Sequence, residues 1–262
     1  LTAEGLDEKI VQRRDGTSVY ITQDIGLAID KYEEYHCGQS IYVVGDEQNY
    51  HFKVLKHICQ KLQLPSADGI FHLSYGMVEL PTGKMKSREG TVVDADDMID
   101  EMVNIKKKKT EELGKVKDFN AGEFDELCNM IGLGALKFFL LRVDPKKRMI
   151  FNPDESIDFH GFTGPFIQYT HARIKSVLRK AGMVHSAQLS AAALLPLEKE
   201  LIKQIETFPA AIEEAATEHD PSKLAIYIYN LAKIFNGFYA EHSIANAETE
   251  TKKALRLAIA VL

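Results

Sequence analysis

The chain has 262 residues, of which 45% are apolar and 27% are charged, and its formal net charge is −6. This composition is typical of soluble globular proteins. It excludes a fibrous or largely disordered chain, and no apolar run is long enough to span a bilayer. The acidic excess lies in residues 1–162, whereas residues 163–262 are close to neutral. A negative total argues against nucleic-acid binding, but a local basic face is sufficient to bind RNA.

Strand and helix patterns alternate over the first 115 residues. Helical patterns cover residues 25–36, 49–64 and 94–114. β-branched and aromatic runs predict strands at residues 18–21, 41–44, 71–80 and 91–93, the second of them fully buried. Strands separated by helices predict βαβ units in a parallel sheet.

Helical patterns dominate the rest of the chain. They cover residues 123–142, 166–181, 197–208, 209–218, 222–242 and 248–262. The predicted fold class is therefore α/β followed by all-α. We expect three segments, at 1–115, 116–163 and 164–262, and the last helix has no stop signal. The lysine run 106–109 is interpreted as a solvated helix face.

The three cysteines, Cys37, Cys59 and Cys128, are widely and irregularly spaced. This spacing predicts neither a disulfide framework nor a cysteine-rich metal site. We expect each to be a small buried side chain in a reducing cytoplasm. The sequence begins at Leu1 with no signal peptide, so we expect that it starts inside a longer protein.

A cationic loop lies between Gly83 and Gly90 and carries Lys84, Lys86 and Arg88. Such a loop after a strand can close over a polyphosphate and neutralise a leaving pyrophosphate. The alternative is an ordinary solvated loop, and the charges alone favour that alternative.

The turn after the second predicted strand contains Gly45, Asp46, Gln48 and His51. Ligands of open parallel sheets bind beyond the carboxyl ends of the strands, and a glycine lets a ligand approach the backbone. The polar side chains are suited to contact a ribose or an amino acid. The alternative is an ordinary turn that caps the following helix.

Asp24 follows the first predicted strand and opens the first predicted helix. It is suited to cap that helix. It is also expected at the carboxyl edge of the sheet, where a carboxylate can hold a guanidinium through two parallel hydrogen bonds. Capping and substrate binding both remain open from the residues alone.

The helix predicted at 166–181 has two distinct faces. Ile167, Thr170, Ile174 and Val177 cluster on the core face, whereas Phe166, Tyr169 and Arg173 lie on another. Aromatic and cationic side chains outside the core suit base stacking and phosphate contact. The alternative is a second packing face. In the helix predicted at 222–242, Phe235 falls on the core stripe and Tyr239 at its edge.

Taken together and in this order, these segments resemble the arginyl-tRNA synthetases, which belong to class I of the aminoacyl-tRNA synthetases. The residues that carry the resemblance are 16–26, 43–51, 76–81, 83–90 and 161–173. The cationic loop resembles the Lys-Met-Ser-Lys-Ser loop of class I, although the second lysine of that pattern falls on Ser87. The resemblance implies the second half of a Rossmann-like catalytic domain followed by a helical anticodon-binding domain.

The resemblance also implies roles for particular residues. Arginine would be bound by Tyr20, Asp24 and Gln48, and ATP by Gly45, Asp46, His51 and Met85. Lys84, Lys86, Ser87 and Arg88 would act on the phosphates. The tRNA contacts would be Phe166, Tyr169, Arg173, Phe235 and Tyr239. The implied activity is ATP-dependent attachment of arginine to tRNA(Arg), with Mg²⁺ accompanying ATP and no protein metal site.

The His-Ile-Gly-His-type motif of the family, which binds ATP phosphates, does not occur in the sequence. We therefore expect a C-terminal fragment that is inactive on its own, cytoplasmic, monomeric and not bound to membranes. One alternative is another class I synthetase such as the cysteinyl enzyme, which needs zinc ligands in its catalytic fold. A second alternative is a tRNA-binding module without catalysis.

Overall fold

The computed structural model describes residues 1–79, 94–112, 120–181 and 193–262. Its contacts divide the chain into two compact units. The first comprises Leu1–Val78 with Pro145–Met149, and the second comprises Glu79–Asp144 with Ile150–Leu262. The predicted strand at 91–93 lies outside the described residues. None of the described helices has the length and apolarity needed to cross a membrane.

The first unit contains the parallel sheet that the sequence predicted. Helix α1 (Tyr20–Tyr35) precedes strand β1 (Ser40–Gly45), and helix α2 (Asn49–Lys61) connects it to strand β2 (Ile70–Tyr75). The two strands pair in parallel, in a register that runs from Ser40 opposite Ile70 to Gly45 opposite Tyr75. Apolar side chains of both helices and both strands form one core with Leu6.

The predicted first strand, residues 18–21, is wrong. A tight turn, in which Arg13 donates its backbone N–H to Thr17 O at 2.9 Å, precedes this segment. Ser18 makes only an isolated antiparallel bridge to Gln12, and α1 already begins at Tyr20. The β-branched run is only four residues long. Helical packing, which buries Ile21 and Ala28, therefore outweighs its strand propensity.

The expectation that β1 is fully buried is also wrong. Tyr42 points into the core, whereas Ile41 is 43% exposed and Val43 is 63% exposed. Side chains of a strand alternate between the two faces of its sheet. Within the described residues, one of those faces is left uncovered.

The second unit is helical. The chain passes between the units within two short strands, β3 (Val78–Glu79) and β4 (Met149–Ile150), and between Asp144 and Pro145. The helices of the unit are α3 (Ala95–Glu112), α4 (Ala121–Leu141), α5 (Pro153–Ser156), α6 (Gly164–Ala181), α7 (Pro196–Glu206), α8 (Phe208–Glu218), α9 (Ser222–Glu241) and α10 (Glu250–Val261). The long helices match the predicted ones within a few residues. Helix α5 was not predicted.

Helices α6, α7, α9 and α10 enclose an apolar core that includes Val177, Leu201, Phe238 and Leu257. Thr170 and Val177 are buried, and Ile174 and Leu178 pack against the same core, as the two-faced pattern of α6 predicted. Cys59 and Cys128 are buried, as expected, and Cys37 is half-buried.

Helices α4 and α6 approach closely at two glycines. A Cβ atom on Gly164 would lie 2.5 Å from the carbonyl oxygen of Gly134, and one on Gly134 would lie 2.4 Å from Nε2 of Gln168. Gln168 donates that Nε2 to Met130 O at 3.1 Å. The start of α6 is thus fixed against α4.

An ion cluster centred on the buried pair of Glu198 and Arg256 joins α7 to α10, with Lys252 partly buried and Glu248 exposed at its edge. Arg256 donates from Nε to Oε1 of Glu198 at 2.9 Å and from Nη2 to Glu248 at 2.8 Å, while Lys252 Nζ lies 2.5 Å from the other oxygen of Glu198. Burial raises the pKa of Glu198, but hydrogen bonds from Lys252 and Arg256 lower it further than burial raises it, and the net shift is downward. Glu198 is therefore held as a carboxylate inside the bundle.

Candidate substrate and RNA-binding sites

In the first unit, Asp24 is paired with His51. Nε2 of His51 lies 2.6 Å from Oδ2 of Asp24, and both side chains are partly buried. Asp24 is the fifth residue of α1, and the cap position of that helix is occupied by Val19. The interpretation of Asp24 as a helix cap is therefore wrong, because α1 begins one turn earlier than the sequence pattern indicated.

Tyr20 lies one helical turn before Asp24, at the start of α1, and its side chain is 81% exposed. Residues four apart on a helix share a face. Gln48 is exposed and ends the single 3₁₀ turn, Asp46–Gln48, that leads into α2. Since His51 stands in the first turn of α2, its bond to Asp24 joins the segment that carries Gln48 to the segment that carries Tyr20.

The turn at Gly45 offers an acceptor that the described residues leave unused. Oδ2 of Asp46 accepts from Nη2 and Nε of Arg148 at 3.2 and 3.3 Å, while its Oδ1 is buried and has no partner among the described residues. A Cβ atom on Gly45 would lie 3.6 Å from the ring of Tyr75, an ordinary contact. The fold itself therefore does not require glycine here. Arg148 was missed by sequence reasoning because it is distant in the chain.

The cationic loop lies outside the described residues. The proposed roles of Lys84, Met85, Lys86, Ser87 and Arg88 therefore stay predictions. Within the described part of the chain, no three His, Cys, Asp or Glu side chains are grouped as a metal site requires.

In the second unit, Arg173 stands between two exposed tyrosines. Its guanidinium carbon lies 4.8 Å from the ring centroid of Tyr169 and 5.0 Å from that of Tyr239. Tyr169 is 53% exposed and Tyr239 is 40% exposed. These cation–π contacts join α6 to α9 and form a surface of one charge between two aromatic rings, which we call the tyrosine–arginine stack.

Phe235 belongs to the core. It is 4% exposed, and its ring lies 6.3 Å from that of Tyr239 with an angle of 22° between the planes. The prediction that Phe235 contacts RNA does not fit this placement, because its helical position turns it inward. Phe166 is partly buried and packs on Tyr229 at 5.2 Å between ring centroids.

Two residues behind the stack were missed. Phe159 meets Tyr169 edge to face at 6.3 Å, and Nζ of Lys106 lies 3.9 Å from the centroid of Phe159. Lys106 is buried. It is not part of a solvated face as predicted, because its long side chain can cover an aromatic ring. The periodicity of the sequence carries no signal for either contact.

A cleft of about 410 Å³ lies beside the stack. Its polar and aromatic lining includes Ser176, Lys180, Tyr239, Glu241, His242 and Asn246. Hydroxyl, ammonium, imidazole and amide groups beside an exposed aromatic ring suit an unstacked nucleotide.

Models of two protein families match the chain. Residues 3–152 match the catalytic domain of class I tRNA synthetases (R), and residues 167–262 match the DALR anticodon binding domain. The chain belongs to the class I arginyl-tRNA synthetase family. The first match contains Tyr20, Asp24 and His51, and the second contains the whole tyrosine–arginine stack.

Curated relatives agree with this membership. The chain is 55% identical to the arginine–tRNA ligase of Flavobacterium psychrophilum, over 98% of its own length and 43% of that protein. It is 52% identical to that of Bacteroides thetaiotaomicron, over 99% of its own length and 44% of that protein. The chain thus spans less than half the length of these relatives. The cysteinyl alternative finds no support, since these relatives are arginine–tRNA ligases.

Solved structures of the family have the same fold. The Thermus thermophilus arginyl-tRNA synthetase superposes with a TM-score of 0.82 at 26% identity, over 97% of this chain and 47% of that one. The Plasmodium falciparum enzyme gives a TM-score of 0.79 at 21% identity, over 97% of this chain and 44% of that one. Parallel strands with helices, followed by a helical bundle, are therefore the fold of this family, as the sequence predicted.

Proposed function

We propose that this chain supplies part of the arginine and ATP sites, and the anticodon-binding domain, of an arginine–tRNA ligase. The observation that supports this most directly is the tyrosine–arginine stack, which is exposed and lies within the match to the anticodon-binding family. We assign the catalytic part to residues 1–115, the connecting part to 116–163 and the anticodon-binding part to 164–262.

In the proposed reaction, the carboxylate of arginine attacks the α-phosphate of ATP, which enters with Mg²⁺, and pyrophosphate leaves. The 3′-terminal ribose hydroxyl of tRNA(Arg) then attacks the carbonyl of the resulting arginyl-adenylate, takes the arginyl group and releases AMP. Asp24 would receive the guanidinium through charged hydrogen bonds, with Tyr20 and Gln48 beside it. Such an active site acts mainly by positioning the reactants and stabilising phosphate charge.

ATP would be bound at the turn after β1. Gly45 allows close approach to the backbone, and Oδ1 of Asp46, which has no partner in the described part of the chain, is an acceptor for a ribose hydroxyl. The cationic residues Lys84, Lys86 and Arg88, with Met85 and Ser87, would close on the phosphates. We assign the whole protein to the cytoplasm as a monomer.

Binding of RNA would use the tyrosine–arginine stack. Exposed Tyr169 and Tyr239 provide flat surfaces for bases, and Arg173 adds a positive charge between them. Phe235 would act from the core, by supporting the ring of Tyr239, and Phe166 from the edge of α6. Membership of the family and an exposed cationic stack together favour the anticodon arm as the bound part of the tRNA.

The test is the binding of the 262-residue chain to tRNA(Arg) transcript, measured by fluorescence anisotropy over a range of salt concentrations. Arg173→Ala should weaken binding at every salt concentration, because the cation between the two rings no longer contacts the RNA. The matched control is Lys175→Ala, which removes the same charge from an exposed position of α6. If both variants weaken binding equally, Arg173 contributes only through its charge, and this outcome would contradict the proposed site.

Catalysis by the 262-residue chain alone is a separate question. The sequence contains no His-Ile-Gly-His-type motif, so we expect binding of tRNA without formation of arginyl-adenylate. Arginine-dependent exchange of pyrophosphate into ATP measures this directly. Robust exchange would contradict the prediction that the motif is needed to bind the ATP phosphates.

A further inference from the structure

A chain of hydrogen bonds runs from the backbone of α6 to the guanidinium of Arg173. The hydroxyl of Thr170 donates to Phe166 O at 2.8 Å. Nδ2 of Asn236 donates to Oγ1 of Thr170 at 2.7 Å. Nη1 of Arg173 donates to Oδ1 of Asn236. Thr170 is buried, and Asn236 and Arg173 are partly buried.

The donor and the acceptor of each of these hydrogen bonds follow from the protons that each group carries. Thr170 has one hydroxyl proton, and its bond to Phe166 O uses it. Oγ1 of Thr170 can therefore only accept, so the NH₂ group of Asn236 must face Thr170. The carbonyl oxygen of Asn236 must then face Arg173, and a guanidinium can only donate. The buried threonine thus fixes the amide, and the amide fixes one edge of the guanidinium.

Within the described residues, this arrangement engages one edge of the guanidinium and leaves its other N–H groups for a ligand. Arginine has five N–H donors in a rigid planar group, and Asn236 uses Nη1 while Tyr169 and Tyr239 flank the charge. A free arginine side chain loses considerable rotamer entropy when it binds a ligand. Here that entropy is already lost in the folded protein, which favours binding.

A fixed orientation distinguishes two kinds of RNA contact. Attraction to a phosphate depends mainly on charge and tolerates a freely moving side chain. A hydrogen bond to the edge of a base depends on direction, and a bidentate arginine contact is selective for particular bases. The constraint by Asn236 therefore favours base recognition over phosphate recognition.

We propose that Asn236 is a positioning residue for anticodon discrimination: it holds Arg173 so that the remaining N–H groups meet the edge of an unstacked anticodon base. This inference rests on the proposed function of the tyrosine–arginine stack. It adds a residue that makes no contact with the base and still determines which base is accepted.

The test compares variants of the 262-residue chain on two RNAs, tRNA(Arg) and the same transcript with a changed anticodon. Asn236→Leu removes both hydrogen bonds at similar volume. Its matched control is Asn230→Leu, the same change at an exposed position of α9. We expect Asn236→Leu to reduce the ratio of the two affinities roughly tenfold, the loss expected for one directed base contact. The slope of binding against salt should stay as in the parent chain, because Arg173 keeps its charge.

A second pair of variants keeps the test valid if Asn236→Leu lowers the melting temperature. Thr170→Val removes the hydroxyl that orients the amide, and Thr170→Ser keeps it. We expect Thr170→Ser to preserve discrimination and Thr170→Val to lose it. If the serine and valine variants both distinguish the two RNAs as well as the parent protein does, Asn236 does not act through this series of hydrogen bonds.

Arg173→Ala separates the two proposals. If Arg173→Ala abolishes discrimination while Asn236→Leu preserves it, the positioning role is overturned and the stack remains the anticodon site. If Arg173→Ala leaves both affinities unchanged, the proposed RNA site itself is overturned. Equal weakening of both RNAs by Asn236→Leu would also overturn the positioning role, since it would indicate a general loss of binding.

Discussion

His51 donates a hydrogen bond from Nε2 to Oδ2 of Asp24 over 2.6 Å. The sequence had suggested separate roles for these residues, Asp24 toward arginine and His51 toward ATP. Their contact makes them one unit, since a histidine that holds one carboxylate oxygen also sets the direction of the other. A guanidinium would then meet a carboxylate whose orientation is already determined.

Asp24→Asn tests the arginine site in a full-length protein that contains this chain. The amide loses the charge that a guanidinium requires, and hydrogen bonds to charged groups contribute about 1.5–3 kcal/mol each. We expect KM for arginine to rise strongly. KM for ATP should change little, because the amide oxygen of the substituted side chain can still accept the hydrogen bond from His51. Asp30→Asn, an exposed position of the same helix, is the control. An unchanged KM for arginine combined with a lower melting temperature would make Asp24 a purely structural residue.

Tyr169→Ala tests the stack without altering charge. Loss of one stacking surface should weaken tRNA binding by about 1–3 kcal/mol. The melting temperature should remain close to that of the parent chain, because the ring is half exposed. Ile174→Ala on the same helix is a moderate reference, since Ile174 is only partly buried. Leu201→Ala is the core reference, since Leu201 is buried, and should cost about 2–5 kcal/mol of unfolding free energy. If Tyr169→Ala melts as early as Leu201→Ala, the stack is a packing face.

Glu198→Gln tests the buried ion cluster. Removing one charge leaves Arg256 and Lys252 without their shared partner, and breaking a buried pair typically costs about 3–5 kcal/mol. Glu214→Gln is the control, because Glu214 is exposed and pairs with Lys223 at the surface. Such surface pairs contribute at most about 1 kcal/mol. Urea denaturation of both variants gives the comparison, and equal midpoints would show that the cluster contributes no net stability.

The same cluster predicts a dependence of stability on pH. The pKa of Glu198 is lowered in the folded protein from its ordinary value of 4.5. The contribution is therefore complete above pH 4.5 and is lost as the pH falls through the lower, folded value, because the unfolded chain takes up the proton first. Urea midpoints of the parent chain and Glu198→Gln should converge as the pH is lowered below 4.5. A constant difference down to the acid limit would contradict this assignment.

Gly164→Ala tests the close approach of α4 and α6. The new methyl group would overlap the backbone oxygen of Gly134, which cannot move aside as a side chain could. We expect a loss of about 1–3 kcal/mol of unfolding free energy. Gly237→Ala is the opposite case in α9, because a Cβ atom there meets nothing within 4 Å. That change should stabilise the chain by about 0.5–1 kcal/mol. If Gly164→Ala instead raises the free energy of unfolding, the two helices can move apart without loss of stability.

The sequence predicted features that repeat along the chain. The helices of the second unit follow from apolar periodicity, and the parallel sheet follows from strands separated by helices. The start of α1 was missed because residues 18–21 have strand propensity but lie where an amphipathic helix packs Ile21 and Ala28. Local propensity determines the secondary structure of such a short run only when no tertiary contact favours another structure.

Contacts between distant side chains could not be predicted in the same way. Glu198 and Arg256 are 58 positions apart, and each looks like an ordinary exposed charge in its own helix. Asn236 and Arg173 are 63 positions apart. Their pairing depends on the angle at which α6 and α9 pack, which periodicity does not specify.

The contact between Gly134 and Gly164 has a geometric consequence for the RNA-binding surface. Arg173 is nine residues beyond Gly164, or about 13 Å along the axis of α6. A tilt of about 5° at the glycines would therefore move the backbone at Arg173 by about 1 Å, if the helix stays straight. Hydrogen bonds lose most of their strength over such a distance. The close approach of these two glycines thus sets how accurately Arg173 can be placed against a base.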